Sequence, residues 1–326
     1  MAKLRVFVTR QLPVEDWEQI QSFAEVEIWP DEMPPPPDIL EEKVTGIDGL
    51  ACLLTDNIDA QLMDRAGPSL KVISQVAVGY NNIDVAAATQ RGIPVGNTPG
   101  VLTKTTADFA WALLMAAARR VVEGQRFVEA GKWRTWSPTL LMGSDVHGAT
   151  LGIIGFGRIG QAVAKRAQGF DMRVIYYNPS TDLEIGKQYG AESCSLEEVL
   201  SESDFLSLHV PLNTETRHMI GTDELCQMKP SSILINTARG EVVDQQALYQ
   251  ALAKKTIAYA ALDVTEPEPI LMDDPLLSLD NCIVVPHIAS SSRATRRKMA
   301  QMALDNLITG LKGEQLPNCV NPEVYK

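Results

Sequence analysis

Three ionisable residues of different types follow apolar, strand-like segments in the second half of the chain. Arg239 follows SILINTA, Glu268 lies in LDVTEPEP and His287 lies in VVPHIASSS. An arginine holds a carboxylate through two parallel hydrogen bonds, and a histidine donates a proton near neutral pH. A glutamate beside the histidine would fix the orientation of its ring. These residue types predict a site that reduces a 2-oxo acid by adding a hydride and a proton.

A glycine-rich turn indicates where the hydride comes from. The segment LGIIGFGRIGQAVAKRA, residues 151–167, carries Gly155, Gly157 and Gly160 in the spacing GxGxxG, between a strand-like run and a helical pattern. In that context the first glycine makes the turn, the second lets the backbone approach a pyrophosphate, and the third lets the helix pack on the strand. Amides at the helix start then face the phosphates. We therefore expect a dinucleotide cofactor.

The residue after the second strand of this series bears on the choice of dinucleotide. An acidic side chain about 20 positions after the turn binds the ribose hydroxyls of NAD. Here Asn178 stands there instead, followed by Ser180 and Thr181. Without a carboxylate a 2′-phosphate meets less repulsion, so NADP is weakly preferred, but no arginine is adjacent and NAD stays open. Asn178 is equally well explained as a cap of the turn before Pro179.

The elements that must position these residues alternate along the chain. Strand-like runs separated by helical stretches predict an α/β protein with parallel sheets covered by helices. Three strands precede residue 80, at LRVFVT, GLACLL and LKVISQVAVG, with a helix around residues 14–23. Six further strands form a doubly wound sheet, at LGIIG, RVIYYN, FLSLHVP, SILINTA, AYAALDV and CIVVPHI. Residues 103–122 are predicted as one long helix, deeply buried or shared with a partner subunit, and residues 292–310 as a tail helix packed on the first domain.

Length and composition narrow the class of protein. The 326 residues exceed the usual size of one compact domain. The net charge of −12, from 29 Lys+Arg and 41 Asp+Glu, disfavours nucleic acid and anionic membranes as partners. No signal peptide or transmembrane run is recognisable, and the five scattered cysteines suit free thiols rather than disulfides or a metal site. We therefore expect a cytoplasmic protein without a metal.

Several separated motifs together resemble the D-isomer-specific 2-hydroxyacid dehydrogenase family, and the resemblance spans nearly the whole chain. They are the glycine turn and VVPHIASSS, with VGYNNIDV (78–85), HVPLNTETRHMI (209–220), INTARGEVVDQQAL (235–248) and ALDVTEPEP (261–269). The resemblance implies that Arg239 binds the substrate carboxylate and carbonyl, that His287 is the acid/base and that Glu268, not Glu266, is its partner. It also implies two Rossmann-like doubly wound domains. A dinucleotide-binding domain at 99–289 is inserted in a discontinuous, flavodoxin-like substrate domain at 1–98 plus 290–326, and the two close for catalysis.

Within the family, the segments are most similar to members of the kind found in animals, which reduce glyoxylate to glycolate and hydroxypyruvate to D-glycerate. That similarity implies substrate contacts from Leu54, Val78, Gly79, Arg239 and His287. It further implies a homodimer formed through the cofactor domain, with the partner subunit's Trp136 reaching the site. The positions that match cofactor contacts are Thr106, Gly155, Gly157, Arg158, Ile159, Gly160, Asn178, Ser180, Thr181, Val210, Pro211, Thr216, Thr237, Ala238, Arg239, Asp263, His287, Ala289 and Ser290.

Two alternative functions stay open at this point. Another D-2-hydroxyacid dehydrogenase of the family is one, although formate dehydrogenases carry glutamine at the position of Glu268 and phosphite dehydrogenases carry lysine at that of Val78. A non-catalytic, NAD(H)-sensing interaction protein on the same fold is the other. Ala289, where the family usually has glycine, is a departure expected to cause only a small local shift.

Overall fold

The computed structural model describes residues 3–14, 17–178 and 185–326. The chain forms two compact units, one made of Met1–Leu102 with Ser291–Lys326 and the other of Thr103–Ser290. Within the described residues, no helix combines the length and the apolar character that crossing a membrane requires.

The first unit is a parallel sheet with helices packed on it. Its described strands lie in the order β2-β1-β3-β4-β5, which is the flavodoxin-like order. They are β1 (Leu4–Val8), β2 (Ala24–Ile28), β3 (Gly49–Cys52), β4 (Val72–Gln75) and β5 (Val95–Gly96). The helices are α1 (Glu18–Gln21), α2 (Pro37–Val44), α3 (Ala60–Ala66), α4 (Val85–Gln90) and the tail helix α11 (Arg293–Leu311).

The tail helix α11 belongs to the first unit. It begins after Ser292, whose side chain accepts the N–H of Thr295 at 3.1 Å. Its middle is bound to β4, because the buried Ser74 hydroxyl donates to the carbonyl of Ala303 at 2.7 Å. Gly96 of β5 lies so close to the helix that a Cβ there would be 2.8 Å from Asn306. The C-terminal helix therefore completes one face of the N-terminal sheet.

The second unit carries a larger parallel sheet. Its strands in the described part are β6 (Thr150–Ile154), β7 (Arg173–Tyr177), β8 (Ala191–Ser193), β9 (Phe205–Leu208), β10 (Ile233–Asn236), β11 (Tyr259–Leu262) and β12 (Cys282–Val284). They lie in the order β12-β11-β10-β9-β6-β7-β8, so the chain reverses its winding between β6 and β9. The helices are α5 (Thr103–Ala118), α6 (Val121–Glu129), α7 (Arg158–Ala167), α8 (Leu196–Glu202), α9 (Thr222–Gln227) and α10 (Gln245–Ala253).

Both faces of this sheet are buried, which explains why its strands read as unbroken apolar runs. Ile153 points into the cluster formed with α5 and α7, while its neighbour Ile154 points into the cluster formed with α8, α9 and α10. The predicted α/β architecture with two doubly wound parallel sheets is confirmed. In such a sheet the carboxyl ends of the strands form one edge, where ligands bind.

Three local expectations were wrong or incomplete. The described strands β2, β5 and β8 were not predicted; β5 and β8 are only two and three residues long, too short for a period to show. The helix expected around residues 14–23 is limited to Glu18–Gln21 within the described residues. The helix expected at 103–122 ends at Ala118, because Arg120 takes a left-handed conformation (φ 53°) and the N–H of Ser144 binds the carbonyl of Ala118 at 2.9 Å. A tertiary hydrogen bond here replaces the next turn of the helix.

Candidate active site

The glycine turn lies between β6 and α7, and its three glycines have different surroundings. Gly155 has a φ of 95°, and a Cβ there would be 2.6 Å from the carbonyl carbon of His209. A Cβ on Gly160 would be 2.2 Å from the carbonyl oxygen of Gly155. A Cβ on Gly157 would meet no atom within 4 Å. The turn is thus packed against its own unit at its two ends and open at its middle, where a ligand's phosphates would approach, so the residues present fit a dinucleotide.

Asn178 follows β7, beside the turn. Its Oδ1 accepts the backbone N–H of Phe156 at 3.3 Å, so the side chain contacts the turn itself. The Phe156 ring stacks on Tyr176 with a centroid separation of 3.9 Å, which holds the residue between two glycines against the sheet. The two predicted cofactor contacts that follow, Ser180 and Thr181, lie outside the described residues.

The other predicted cofactor positions of the second unit cluster after its strands. Val210 and Pro211 follow β9, Thr237 and Ala238 follow β10, Asp263 follows β11, and Ala289 and Ser290 lie beyond β12. Arg158 and Ile159 begin α7, and Thr106 is buried in the first turn of α5. Thr216 closes the loop after β9, because its hydroxyl donates to the carbonyl of Pro211 at 2.6 Å.

A second observation fits a ligand at this edge. The Thr237 hydroxyl is buried, yet within the described part of the chain it has no hydrogen-bond partner. A buried hydroxyl without a partner has lost its hydrogen bonds to water and has gained none in the protein, which is unfavourable. Thr237 directly follows the strand next to β11, so its hydroxyl is available to a polar group bound along this edge.

His287 and Glu268 are in direct contact. His287 Nδ1 and Glu268 Oε1 share a short hydrogen bond, so the other ring nitrogen, Nε2, is the one available to a substrate. The side chain of His287 keeps 24% of its surface exposed. Its backbone is left-handed (φ 49°), and its N–H donates to the carbonyls of Asp263 at 2.9 Å and Val285 at 3.0 Å. The left-handed backbone conformation is therefore held by the backbone N–H of His287, which two carbonyls share.

Asp263 anchors the loop that carries His287. It is 1% exposed, and its carboxylate accepts the N–H groups of Ile288 at 2.7 Å and Ala289 at 2.9 Å. Burial raises the pKa of Asp263, while the two backbone hydrogen bonds act in the opposite direction. The side chain binds both peptides after His287, and its own backbone carbonyl binds the N–H of His287. Asp263 therefore fixes the backbone on both sides of His287.

Arg239 lies three residues after the end of β10, in a turn that side-chain hydrogen bonds hold. Asn236 holds this turn from both sides: its Nδ2 donates to the carbonyl of Arg239 at 2.8 Å and its Oδ1 accepts the N–H of Ala238 at 3.0 Å. Burial lowers the pKa of Arg239, and the negative charges of Glu268 and Glu241 oppose that shift. The guanidinium, the carboxylate of Glu268 and the imidazole of His287 are thus brought together in one unit.

The neighbouring carboxylate, Glu266, is engaged elsewhere. It accepts hydrogen bonds from Arg217 Nη1 at 2.9 Å and forms a 2.6 Å hydrogen bond with His218 Nε2. Both partners lie in the loop after β9. Two glutamates two residues apart therefore contact two different histidines, and the one near Arg239 is Glu268.

The predicted substrate loop lies in the first unit, after β4. The carbonyls of Ala77 and Val78 accept the backbone N–H of Thr98 at 2.9 Å and the Asn97 Nδ2 at 2.8 Å. The N–H and C=O of a trans peptide point in opposite directions. The N–H groups of Val78 and Gly79 are therefore turned away from residues 97–98, as two adjacent donors suited to an anion.

Leu54 and Trp136 lie in different units. Leu54 is half-buried in the loop after β3 of the first unit. Trp136 is 76% exposed in the second unit, so most of its surface is available to another molecule.

Two side chains that hold the substrate loop were missed by sequence reasoning. Gln75 and Asn82 flank Val78 and Gly79: Gln75 Nε2 donates to the carbonyl of Gly79 and to Asn82 Oδ1, and Asn82 Nδ2 donates to the carbonyl of Leu53. Asn82 belongs to the motif VGYNNIDV, so the signal was in the motif, but a backbone-binding role is not visible in residue type or spacing.

Comparison with known proteins places the chain in a family. Residues 111–289 match the family model described as D-isomer specific 2-hydroxyacid dehydrogenase, NAD binding domain. A glyoxylate reductase of Korarchaeum cryptofilum (strain OPF8) is 55% identical over 325 residues, which cover 99% of this chain and 98% of that one. The crystal structure of a protein from Thermus thermophilus superposes with a TM-score of 0.91 at 46% identity, covering 97% of this chain and all of that one.

A third relative was solved with ligands. The NADPH-dependent glyoxylate/hydroxypyruvate reductase of Sinorhizobium meliloti, in complex with NADP and malonate, superposes with a TM-score of 0.83 at 31% identity, covering 99% of this chain and 98% of that one. The full-length matches and the matched NAD-binding domain agree with the glycine turn and the strand-end residues described above. The chain therefore belongs to the D-isomer-specific 2-hydroxyacid dehydrogenase family and is an NAD(P)-dependent oxidoreductase.

Proposed function

We propose that the protein reduces glyoxylate to glycolate and hydroxypyruvate to D-glycerate with a reduced nicotinamide dinucleotide. The observation that carries the proposal is the contact of His287 with Glu268 beside the Arg239 guanidinium, on the sheet edge that also bears the glycine turn. The relatives named glyoxylate reductase support this choice of substrate, and the Sinorhizobium meliloti protein supports hydroxypyruvate as a second one.

The residues divide the reaction between them. The cofactor, when bound along Gly155–Gly160, supplies the hydride. Arg239 holds the carboxylate and the carbonyl oxygen of the 2-oxo acid, since a guanidinium binds two oxygens at once. His287 Nε2 gives its proton to the carbonyl oxygen as that oxygen gains negative charge. Glu268 keeps the ring in place through its hydrogen bond with Nδ1.

The first unit supplies the remaining substrate contacts in this proposal. The adjacent N–H groups of Val78 and Gly79 bind the substrate carboxylate, because they are turned away from the segment that holds their peptides. Leu54 forms an apolar wall that limits the length of the acid. An apolar wall of this kind changes kcat/KM by about 10- to 200-fold between two substrates that differ by one methylene.

A matched pair of variants tests the assignment of the acid/base. His287→Ala is expected to lower turnover by about 10²- to 10⁴-fold, the range of general acid–base catalysis. His218→Ala removes the other glutamate-bound histidine and should leave turnover within a fewfold of the parent. The readout is the loss of the reduced cofactor's near-ultraviolet absorbance with glyoxylate or hydroxypyruvate. Absence of turnover by the parent protein, or equal turnover by both variants, would refute the proposal.

The cofactor preference is proposed to be weak and in favour of NADP. Asn178 carries no charge that would repel a 2′-phosphate, and its side chain contacts the glycine turn. Asn178→Asp preserves the acceptor for the N–H of Phe156 and adds one negative charge. The ratio of kcat/KM with NADPH to that with NADH should fall about tenfold or more. An unchanged ratio would show that this side chain does not contact the ribose.

We also propose a homodimer formed through the cofactor unit, located in the cytoplasm. A run of exposed large apolar side chains supports the dimer: Val121, Val128, Trp133, Trp136 and Met142 are each more than half exposed. Aromatic residues and methionine are enriched at interfaces. In this dimer the partner subunit's Trp136 borders the substrate site. The five free cysteines suit a reducing compartment.

The two alternatives predict different assay results. Another D-2-hydroxyacid dehydrogenase would turn over a longer 2-oxo acid faster than glyoxylate. A nucleotide-sensing interaction protein would bind the cofactor but turn over neither substrate. A half-buried Arg239 beside a glutamate–histidine pair favours catalysis over sensing, because a sensor has no need to withdraw an arginine from water for a substrate carboxylate.

A further inference from the structure

We propose that Asn82 is a positioning residue that sets the spacing between Leu54 and the Val78–Gly79 amides, and thereby the size of the 2-oxo acid that the enzyme accepts. The inference deepens the proposed function and rests on it. All the residues that carry it belong to the first unit.

Asn82 binds the loop that carries Leu54. Its Nδ2 donates to the carbonyl of Leu53 at 3.0 Å and to the carbonyl of Asp56 at 2.8 Å. Both hydrogens of the amide are thereby used on the backbone that flanks Leu54. The loop after β3 is held by a side chain that comes from the loop after β4.

The other end of the Asn82 amide reaches the carboxylate-binding loop through Gln75. Asn82 Oδ1 accepts Gln75 Nε2 at 2.8 Å, and the same Nε2 lies 3.2 Å from the carbonyl of Gly79. Gln75 is fully buried, and its Oε1 accepts the thiol of Cys52 at 3.1 Å, which fixes which way the amide faces. A chain of hydrogen bonds therefore runs from Gly79 through Gln75 and Asn82 to the peptides around Leu54.

Leu54 has little freedom to escape this constraint. The carboxylate of Asp56, which is 3% exposed, accepts the N–H of Leu53 at 2.7 Å and the hydroxyl of Thr9 at 2.5 Å. Leu53 is thus bound through its N–H by Asp56 and through its carbonyl by Asn82. Moving the Leu54 wall away from the amides of Val78 and Gly79 requires breaking partly buried hydrogen bonds, which are expensive to leave unmade.

A short acid such as glyoxylate needs the wall and the two amides at one fixed separation, whereas a longer acid needs them further apart. Asn82 is the only described side chain whose donors bind the backbone on both sides of Leu54 while its acceptor binds the amide that holds Gly79. Weakening the hydrogen bonds of the Asn82 amide should therefore reduce the preference for the shorter acid. The rate of the chemical step should change less, because it depends on Arg239 and His287 in the other unit.

The test is Asn82→Asp, which preserves the size of the side chain and turns an oxygen towards two carbonyls in place of two N–H donors. KM for glyoxylate should rise about tenfold while kcat stays within about twofold. The ratio of kcat/KM for glyoxylate to that for hydroxypyruvate should fall about threefold or more. The Kd for NADPH, measured by fluorescence titration, should not change.

Two further variants complete the design. Asn57→Asp is the matched control, because it adds the same charge to the same loop at an exposed side chain bonded to Asp59 and leaves every bond of Asn82 intact. Gln75→Glu removes the donor to the Asn82 amide and should shift KM and the substrate ratio in the same direction as Asn82→Asp.

The outcomes separate the inference from the function on which it rests. If the parent protein turns over neither acid, the proposed function fails. If the parent is active and Asn82→Asp leaves KM and the substrate ratio unchanged, or matches Asn57→Asp, the positioning role is refuted. Loss of folding in both Asn82→Asp and Gln75→Glu, seen by thermal unfolding, would also overturn it, because the amides would then only hold the unit together.

Discussion

His209 should make the second unit sensitive to acid. Burial lowers the pKa of His209 from 6.5 to about 3. The ring Nε2 of His209 is 2.8 Å from the Ser207 hydroxyl. The backbone N–H of His209 donates to the carbonyl of Ile154 at 2.7 Å, and its backbone carbonyl carbon lies against Gly155. A protonated ring here would carry a charge beside Ser207, on a residue whose backbone packs against the glycine turn.

The sign and the size follow from proton linkage. Because the folded pKa lies below the unfolded one, the unfolded chain binds more protons, and the free energy of unfolding falls as the pH falls through 6.5. At pH 5 an unfolded histidine is almost fully protonated. Its protonation lowers the free energy of unfolding by about 2 kcal/mol between pH 7 and pH 5. This figure depends mainly on the unfolded value, since a folded pKa of about 3 leaves the native ring neutral at pH 5.

The assay compares three proteins by urea denaturation at pH 7, 6 and 5. His209→Gln removes the titrating group and offers an amide near the Ser207 hydroxyl, so its free energy of unfolding should fall about 2 kcal/mol less between pH 7 and 5 than that of the parent. His147→Gln, at an exposed histidine of the same unit, is the control and should follow the parent. Parallel curves for the parent and His209→Gln would refute the reasoning, because they would mean that the native ring takes up a proton as readily as the unfolded one.

Two other substitutions test the turn and the histidine loop. Gly160→Ala gains up to about 1 kcal/mol of helix propensity but places a Cβ 2.2 Å from the backbone oxygen of Gly155, so we expect a net loss of about 1–3 kcal/mol and weaker NADH binding in a fluorescence titration. Gly169→Ala, where a Cβ meets nothing within 4 Å, is the control, and equal NADH affinity in the two variants would contradict the packing argument. Asp263→Asn removes one of two acceptors behind His287 and should lower kcat about tenfold or more, since a small displacement of an acid/base is costly. The thermal midpoint should change little, because the loss of a buried charge offsets the lost hydrogen bond; an unchanged kcat would show that the loop holds its shape without the carboxylate.

Much of the fold could be predicted because local patterns of residue type, such as apolar runs and helix caps, indicate its strands and helices. Each of the six strands predicted in the second unit is present, since a strand buried on both faces must be a continuous apolar run. The tail helix begins at its serine cap. The short strands β5 and β8 were missed because two or three residues establish no period, and the helix at 103–122 was drawn too long because the bond that ends it comes from Ser144, beyond the helix itself.

The sequence by itself determined which functional groups the site contains. They are a glycine turn between a strand and a helix, and an arginine, a glutamate and a histidine at strand ends. These depend on residue type, on short spacing and on the steric needs of glycine, which are local properties. Only the tertiary structure decided the contacts around them. It paired Glu266 with His218, set Asp263 behind the histidine loop, and joined Leu54 to Gly79 through Asn82 and Gln75. Such hydrogen bonds join residues far apart in the chain, and their partners are selected by the order and register of the strands, which no local pattern encodes.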